Sequence, residues 1–398
     1  MQSLLFAVGS GTFTTSSAVF FTQVVGLSAA QVGLGITLGG VVAFLTALPA
    51  GRLADRVGPQ WMWCATTAGA GFLFAAWPFI DGLGGFLVMA VLVELLETAG
   101  RTGYGAYVLN VLPAEERVRS RAYMYSTLNL GFTLGAALGG VALAFQSDTL
   151  IRVLPWFTCV LCFANAAWIA RLPRLPRARR TAEPQARPET ALGGSALRNR
   201  GFLATAFFGG VLNTNQVLLQ IVIPLWLVEE TDAPRVLLAW LFGTNTVMCI
   251  FLPMVTARGV RDLPTALRAA RISTAFFVVS CLVTLVTHDT VGWATILLVW
   301  LGHVTVTGAE LYLAAAKWSF EAELSDPDRR GEYQGADNFG GTLGYVWAPA
   351  AYTYLAMHWG AGGWLLIAAV VLAASLGLGP STRAATSYLR RHELDPTR

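Results

Sequence analysis

Residues 51–58 of the chain read Gly-Arg-Leu-Ala-Asp-Arg-Val-Gly, a short charged stretch between two long apolar runs. The run before it, 31–50, and the run after it, 61–80, each have the length of about 20 residues that crosses the hydrocarbon core of a bilayer as a helix. We therefore expect two membrane helices that turn back on each other here, with three charged side chains at the turn.

The whole chain is too apolar to fold as an ordinary soluble domain. Of its 398 residues 55% are hydrophobic and 13% are charged, and its mean hydropathy is +0.57. Soluble domains carry about 25% charged residues, so this chain must expose apolar side chains to lipid. Its five cysteines lie inside apolar runs, where cysteine packs as a small apolar residue, and we expect neither a redox pair nor a metal site. They are Cys64, Cys159, Cys162, Cys249 and Cys281.

Twelve apolar segments, separated by short polar turns, run along the chain. The stretch 173–200 differs, because it is rich in proline and arginine and has no apolar periodicity, and we interpret it as a cytoplasmic linker. The sequence thus predicts an all-α integral membrane protein with 12 transmembrane helices in two pseudo-symmetric six-helix bundles, 1–172 and 201–382, and a cytoplasmic tail at 383–398. The segments are 2–25, 31–50, 61–80, 85–110, 121–145, 150–171, 201–228, 236–257, 268–287, 291–316, 333–357 and 360–380.

An internal repeat supports two related halves. When the chain is shifted by 209 residues, 121–135 aligns with 330–344, so the fifth segment repeats as the eleventh. Parallel six-helix repeats, with a binding site near the midplane between them, are an architecture of transporters that alternate access. The coinciding pairs are Arg121/Arg330, Asn129/Asn338, Gly131/Gly340, Thr133/Thr342, Leu134/Leu343 and Gly135/Gly344.

The positive charges predict how the chain crosses the membrane. If the N-terminus is cytoplasmic, nearly all lysines and arginines fall in cytoplasmic loops, the linker and the tail, and only Arg152 and Arg235 fall outside. We therefore expect a multi-pass protein of the bacterial inner membrane with both termini in the cytoplasm. Topology and anionic lipid headgroups explain the basic linker, so we expect no nucleic-acid partner. We also expect the protein to be a monomer in the lipid bilayer.

The 51–58 stretch resembles the signature loop of the major facilitator superfamily, Gly-x-Leu-Ala-Asp-Arg-x-Gly between the second and third helices. This resemblance implies a gating loop, in which Asp55 braces the inner ends of the two halves in the outward-facing state. Asp337, near the inner end of the eleventh segment, either belongs to the N-terminal turn of its helix or meets this loop. The chain departs from the pattern at Pro59 and Gln60, where the family has basic residues. The matching residues are Gly51, Leu53, Ala54, Asp55, Arg56 and Gly58.

The fifth segment contains a second pattern, GFTLGAALGG at 131–140. It resembles the antiporter motif Gly-x-x-x-Gly-Pro-x-x-Gly-Gly of the efflux branches, with Ala136 in place of the proline. The alternative is structural, because small residues four apart let two membrane helices pack closely. The glycines that match are Gly131, Gly135, Gly139 and Gly140.

Five ionisable side chains lie within two apolar segments. On the fourth segment Glu94, Glu97 and Arg101 share one helical face, and we expect Glu97 and Arg101 to pair and to leave Glu94 deeper and less compensated. The repeat places His303 opposite Glu94 and Glu310 opposite Arg101, on the tenth segment. Ionisable groups in the membrane are costly and commonly functional, and the resemblance implies that both segments line a central cavity. Glu94 is our first choice for the proton-binding carboxyl, Glu310 the second and His303 a relay; the alternative is an ion pair and a core histidine.

Amide side chains are the candidates for substrate contacts. Amides in mid-membrane require partners from other helices, water or a solute, and amides mixed with aromatic residues suit an amphipathic organic substrate. Asn129, Asn245 and Asn338 serve equally well as helix–helix contacts. The candidates on the seventh segment are Asn213, Asn215, Gln216 and Gln220.

These patterns together favour a secondary active transporter that exports small amphipathic organic molecules in exchange for protons. The alternative on the same fold is a proton-coupled importer of a small metabolite. A membrane enzyme is disfavoured, because the chain has none of the common catalytic motifs, and a receptor or scaffold leaves the intramembrane charges without a purpose. We expect a small-molecule substrate and protons as partners, and no cofactor or metal.

Overall fold

The computed structural model describes residues 2–145, 147–173 and 194–393, and all regular secondary structure in these ranges is helical. Most of the predicted linker, 174–193, and the last five residues of the predicted tail lie outside the described residues. The helices are α1 Gln2–Val19, α2 Ala29–Val57, α3 Pro59–Ala76, α4 Gly82–Val111, α5 Arg117–Ala144, α6 Asp148–Ala170, α7 Arg200–Leu212, α8 Asn215–Val217, α9 Ile223–Glu229, α10 Leu237–Phe251, α11 Pro253–Thr256, α12 Leu263–Val286, α13 Trp293–Glu323 and α14 Arg330–Glu393.

The twelve predicted apolar segments are all helical in this structure. Within the described ranges, nine helical stretches are long and apolar enough to cross a membrane, and α7 to α9 together count as one of them. The last stretch, α14, contains two predicted segments, which are separated at Gly360, where a φ of +48° interrupts the helix. The seventh segment is divided into α7, α8 and α9, with a π-helical turn at Leu218–Val222 before α9. The prediction of an all-α membrane fold is confirmed.

Local sequence signals explain where several helices begin. Ser28 and Gln31 form a reciprocal capping box at the start of α2. Gly58 has a φ of +98°, a conformation that favours glycine, and ends α2 directly before Pro59 opens α3. Asp262 caps α12, and the hydrogen bonds that it accepts from the Thr265 hydroxyl and backbone N–H hold the pKa of Asp262 below its usual value.

The described helices form two compact units. The first contains α1 to α4, the larger part of α5, α6, and 327–335 at the start of α14. The second contains 114–126 at the start of α5, α7 to α13, and the rest of α14. The first turns of α5 and of α14 thus each belong to a different unit from the rest of their helix.

An aromatic cluster forms the core of the first unit. The ring centroids of Phe13 and Phe74 lie 4.9 Å apart with nearly perpendicular planes, and those of Phe21 and Trp77 lie 5.0 Å apart. Perpendicular aromatic pairs of this kind stabilise a core beyond the area that they bury. The first pair joins α1 to α3, and the second joins the short helical turns that follow these two helices.

In the second unit α12 packs on α13 through small polar side chains. Ser273 and Ser280 each donate a 2.7 Å hydrogen bond to a backbone carbonyl of α13, those of Ala309 and Gly302. Small residues and interhelical hydrogen bonds are the usual contacts between membrane helices. The same role explains why these serines occur in an apolar helix.

Glycines of α5 allow it to approach α1 closely. A Cβ at Gly135 would collide with the carbonyl of Val8, and a Cβ at Gly131 or Gly139 would lie 2.8–2.9 Å from backbone or Cβ atoms of α1. Gly140 has open space around it. The repeat-related glycines of α14, Gly340 and Gly344, approach α7 in the same way. Three of the four glycines of the motif therefore serve helix packing.

Candidate functional site

Four polar side chains interact along one face of α4. Arg101 Nη2 lies 2.6 Å from Glu94 Oε1, and Arg101 Nη1 lies 3.4 Å from Glu97 Oε2. The Thr98 hydroxyl donates a 3.1 Å hydrogen bond to Glu94 Oε1 and accepts one of 3.0 Å from Arg101 Nη2. We expected Glu97 to be the main partner of Arg101, but Glu94 is bound more closely. Seven residues make almost two full helical turns, so Glu94 is aligned with Arg101 and the long arginine side chain reaches it.

Glu310 on α13 receives a hydrogen bond at each carboxylate oxygen. The Tyr125 hydroxyl donates to Oε1 at 2.6 Å, and Asn245 Nδ2 donates to Oε2 at 3.1 Å. Asn245 Nδ2 also donates to the Thr307 hydroxyl at 3.1 Å. Side chains from α5, α10 and α13 thus meet at one titratable group.

A cavity of about 400 Å³ lies beside this cluster, within the second unit. His303 lines it, is completely buried and makes no ring-nitrogen hydrogen bond with the described residues; the Leu241 carbonyl lies near the ring without hydrogen-bond geometry. Phe242 meets the His303 ring edge to face at 6.1 Å. The cavity therefore has both polar and apolar walls. Its lining residues are Gln216, Leu219, Gln220, Phe242, Asn245 and His303.

The predicted amides of the seventh segment divide into two groups. Gln216 and Gln220 line the cavity, and Gln220 Nε2 donates a 3.1 Å hydrogen bond to Gln216 Oε1. Asn213 lies at the end of α7, where its backbone N–H bonds to Gly209 O. Asn215 is buried, and neither of its amide atoms has a partner among the described residues. Only the two glutamines are therefore placed at the cavity.

Asn129 and Asn338 occupy equivalent places in the repeat. Both are partly buried. Their backbone carbonyls accept hydrogen bonds of 2.8 and 2.9 Å from the repeat-related hydroxyls of Thr133 and Thr342. The structure thus extends the sequence repeat to the local hydrogen bonding of α5 and α14.

The carboxylate of Asp55, at the end of α2, accepts two backbone hydrogen bonds from the start of α14. Gly331 N–H donates to Oδ1 at 2.7 Å, and Glu332 N–H donates to Oδ2 at 2.8 Å. Arg52 Nη2 lies 3.5 Å from Glu332 Oε1. A Cβ at Gly51 would collide with the carbonyl of Gly331. The unpaired N–H groups of a helix start favour an anionic partner, and the first turn of α14 is thus bound to α2.

The other predicted gating residues have different surroundings. Leu53 and Arg56 are exposed, and Gly58 forms the turn into α3. Asp337 forms an ion pair with Lys317, with Oδ2 and Nζ 3.3 Å apart.

Two arginines at equivalent positions of the repeat each bind the end of another helix. At the start of α14, Arg330 Nη1 donates 2.6 Å hydrogen bonds to the Leu109 carbonyl and to Asn110 Oδ1, near the end of α4. Near the start of α5, Arg121 forms a buried ion pair with Glu321, near the end of α13. A cation is stabilised at a helix C-terminus, so the two contacts share a physical basis.

The sequence of the chain matches the model of the Major Facilitator Superfamily over residues 2–349. The chain belongs to the major facilitator superfamily. Members of this family are membrane transporters, which agrees with the all-helical fold and the intramembrane polar clusters. No curated protein matches the chain significantly in sequence.

Solved structures of other transporters share this major facilitator fold at low sequence identity. A bacterial homologue of the iron transporter ferroportin, in an outward-facing state, is 13% identical, has a TM-score of 0.71 and aligns over 98% of each chain. The human organic anion transporter MFSD10 (TETRAN) is 15% identical, with a TM-score of 0.67 over 95% of this chain and 97% of that one. The proton:xylose symporter XylE, bound to 6-bromo-6-deoxy-D-glucose, is 12% identical, with a TM-score of 0.69 over 95% and 93%. Such identities establish the fold alone.

Several polar partners of this major facilitator protein were not predicted from its sequence. Lys317 and Glu321 follow the predicted Glu310 on one face of α13, and the spacing of seven and then four residues was the signal that could have identified them. Tyr125 gave no such signal, because 185 residues separate it from Glu310.

Proposed function

We propose that the protein is a secondary active transporter that exports small amphipathic organic molecules in exchange for protons, by alternating access. The alternative is a proton-coupled importer of a small metabolite, which the function of the structurally similar proton:xylose symporter favours. The charge distribution supports a bacterial inner-membrane location with both termini in the cytoplasm. The transporter acts as a monomer without a cofactor.

The position of Asn245 is the observation that carries this proposal. Its side chain lines the cavity and donates a 3.1 Å hydrogen bond to Glu310. A ligand that bonds to Asn245 alters how strongly this amide binds the carboxylate, and a proton on Glu310 alters what Asn245 offers to the ligand. Coupling between two sites is reciprocal, so this contact links ligand binding to proton binding in both directions.

The cavity walls support an amphipathic substrate. A volume of about 400 Å³ lies within the usual range of roughly 300–1,000 Å³ for small-molecule sites. Gln216 and Gln220 offer both hydrogen-bond donors and acceptors, whereas Leu219 and Phe242 offer apolar surface. The cavity wall contains no carboxylate and no lysine or arginine, which favours a molecule that binds through neutral polar groups.

The carboxylates within α4 and α13 supply the proton-binding groups. Ionisable side chains in membrane helices are costly to maintain and commonly mark proton or ion pathways. Arg101, paired with Glu94 and Glu97, has its repeat equivalent at Glu310. One proton-responsive cluster in each repeat is consistent with transport driven by a proton gradient.

The contact between α2 and α14 supports a gating role for the signature loop. The Asp55 carboxylate accepts hydrogen bonds from the backbone N–H groups of Gly331 and Glu332. On the α2 side the contact therefore consists of side-chain atoms alone. Such hydrogen bonds break without unwinding either helix, and alternating access requires contacts of this reversible kind.

The test combines ligand discovery with a direct measurement of transport. A thermal-shift screen of small amphipathic compounds on the purified protein identifies a ligand, which is then added to inverted membrane vesicles carrying a proton gradient. Export coupled to protons dissipates the gradient upon addition of the ligand, and vesicles without the protein show no such change. Accumulation of the same ligand by intact cells would establish the importer instead, and transport that ignores the gradient would refute proton coupling.

A further inference from the structure

Asn165 on α6 is a buried amide without a partner. Its residue surface is 1% exposed, and neither Oδ1 nor Nδ2 makes a hydrogen bond to any part of the chain that the structure describes. Leaving a buried polar group unpaired is costly, so such an amide normally binds ordered water or a ligand. The unpaired amide of Asn165 therefore indicates that a water molecule or a ligand lies beside it.

The space beside Asn165 has the size and polarity that water requires. A cavity of about 50 Å³ is lined by residues of α1, α3, α4 and α6. A cavity needs roughly 10–15 Å³ of water-accessible space to hold one water, and a bound water needs two to four polar partners, so this cavity is large enough for more than one water. The polar residues of the wall are Ser10, Thr14, Glu97, Thr158 and Asn165.

The charges near this cavity leave one carboxylate incompletely compensated. Glu94, Glu97 and Arg101 together carry a net charge of −1, and the guanidinium lies 2.6 Å from Glu94 but 3.4 Å from Glu97. Neither α1 nor α3 contains an acidic or basic residue, and α6 contributes only the Cys162 thiol as a titratable group on the wall. A single proton at Glu97 would neutralise the cluster.

We propose that Glu97 is the carboxyl group that binds the transported proton in the first unit, and that Asn165 positions the water that delivers it. In this step a hydronium ion in the cavity transfers a proton to the carboxylate, an O–H bond forms, and a neutral water remains. The assignment replaces Glu94, whose Oε1 is already bound by Arg101 and Thr98. It rests on the proton coupling proposed above and adds the entry site of the proton.

Infrared difference spectroscopy tests the assignment on the purified full-length protein. Spectra recorded across a pH series contain the C=O band of each carboxyl group that gains a proton. We expect a band that Glu97→Gln removes. Glu94→Gln removes the same group one turn away on the same helix and frees Arg101 to pair with Glu97, so we expect this variant to keep the band and to lower its pH midpoint.

The role of Asn165 is tested by the pH midpoint of this band. Asn165→Leu removes the amide and dries the cavity, and a carboxylate that loses its solvation takes up a proton more readily. We expect the midpoint to rise by about one pH unit or more in Asn165→Leu, and Asn165→Ser, which can still bind water, to restore it towards the wild-type value. Thermal unfolding verifies that each variant is folded; if Asn165→Leu is not, the two glutamate variants and Asn165→Ser decide.

Three results would overturn the proposal. They are retention of the band in Glu97→Gln, an unchanged midpoint in folded Asn165→Leu, and suppression of the band by Na⁺ at constant pH, which would identify a metal cation as the occupant. Because this test requires no transport, it is separate from the vesicle assay. If the infrared band is assigned to Glu97 but transport does not depend on the proton gradient, the proposed function is refuted and Glu97 remains a proton-binding site.

Discussion

Asn245 and Glu310, 65 residues apart in the chain, are joined by a 3.1 Å hydrogen bond from the amide to the carboxylate. The amide belongs to the wall of a cavity, and the carboxylate is also bound by Tyr125. A single side chain, that of Asn245, therefore lies between the cavity and the Glu310 carboxylate. Under the proposed function, this arrangement distinguishes residues that bind the ligand alone from a residue that also links ligand binding to proton binding.

Replacing Asn245 should affect coupling, whereas replacing a neighbouring cavity residue should affect binding alone. A hydrogen bond between neutral groups contributes about 0.5–1.5 kcal/mol, so we expect Asn245→Leu to weaken ligand binding by up to about tenfold and, because Asn245 also binds Glu310, to shift its pH dependence. Gln220→Leu, which alters the same wall without touching Glu310, should weaken binding with an unchanged pH profile. Ligand titrations by thermal shift across a pH series separate the two; identical pH profiles in both variants would contradict the coupling role.

The contact of Asp55 with α14 should govern the rate of the transport cycle. Asp55→Asn replaces one accepting oxygen by a donor that faces a backbone N–H, and we expect turnover in vesicles to fall roughly tenfold. The set of transported compounds should stay the same, since Asp55 does not line the cavity described above. Glu116→Gln, the same chemical change at an exposed position, is the control. An altered substrate profile would show that the loop does more than gate.

The ion pair between Arg121 and Glu321 should be strongly cooperative. Removing one partner of a buried pair leaves an uncompensated charge and typically costs about 3–5 kcal/mol. We expect Arg121→Met and Glu321→Met each to lower the melting temperature clearly, and the double variant to recover part of the loss. Glu230→Gln, which breaks the exposed contact with His288, should change stability by less than about 1 kcal/mol. Additive losses in the double variant would contradict the pairing.

Two glycines of α5, five residues apart, should respond differently to the same substitution. A side chain at Gly135 would collide with the Val8 carbonyl, whereas Gly140 has no atom within 4 Å of its Cβ position. We expect Gly135→Leu to destabilise the protein by about 1–3 kcal/mol or more and Gly140→Leu to change its stability by less than about 0.5 kcal/mol. Melting temperatures in detergent measure both effects, and equal losses would show that the motif has a role besides packing.

The fold could be predicted because it depends on signals that are local in the sequence. Segment length and polarity define each helix, and the repeat at Arg121 and Arg330 relates the halves. The breaks within the seventh segment could not be predicted, because the residue types of the π-helical turn at Leu218–Val222 do not differ from those of an ordinary helix.

The candidate site could be predicted only in part. Sequence spacing placed Glu94, Glu97 and Arg101 on one face, but it favoured the i,i+4 pair because it ignored how far an arginine side chain reaches. The hydrogen bond of Tyr125 to Glu310 and the cavity beside His303 depend on packing between helices distant in the chain. No one-dimensional pattern contains that information.

Arg121 and Arg330 occupy the same position of the repeat but bind different groups. Arg121 pairs with the Glu321 carboxylate, whereas Arg330 binds two neutral acceptors, the Leu109 carbonyl and the Asn110 amide oxygen. Loss of the Glu321 carboxylate removes the charge with which Arg121 pairs, whereas loss of the Asn110 side chain leaves the Leu109 carbonyl bound to Arg330. The two repeat-related arginines therefore differ in how far each contact depends on a single side chain.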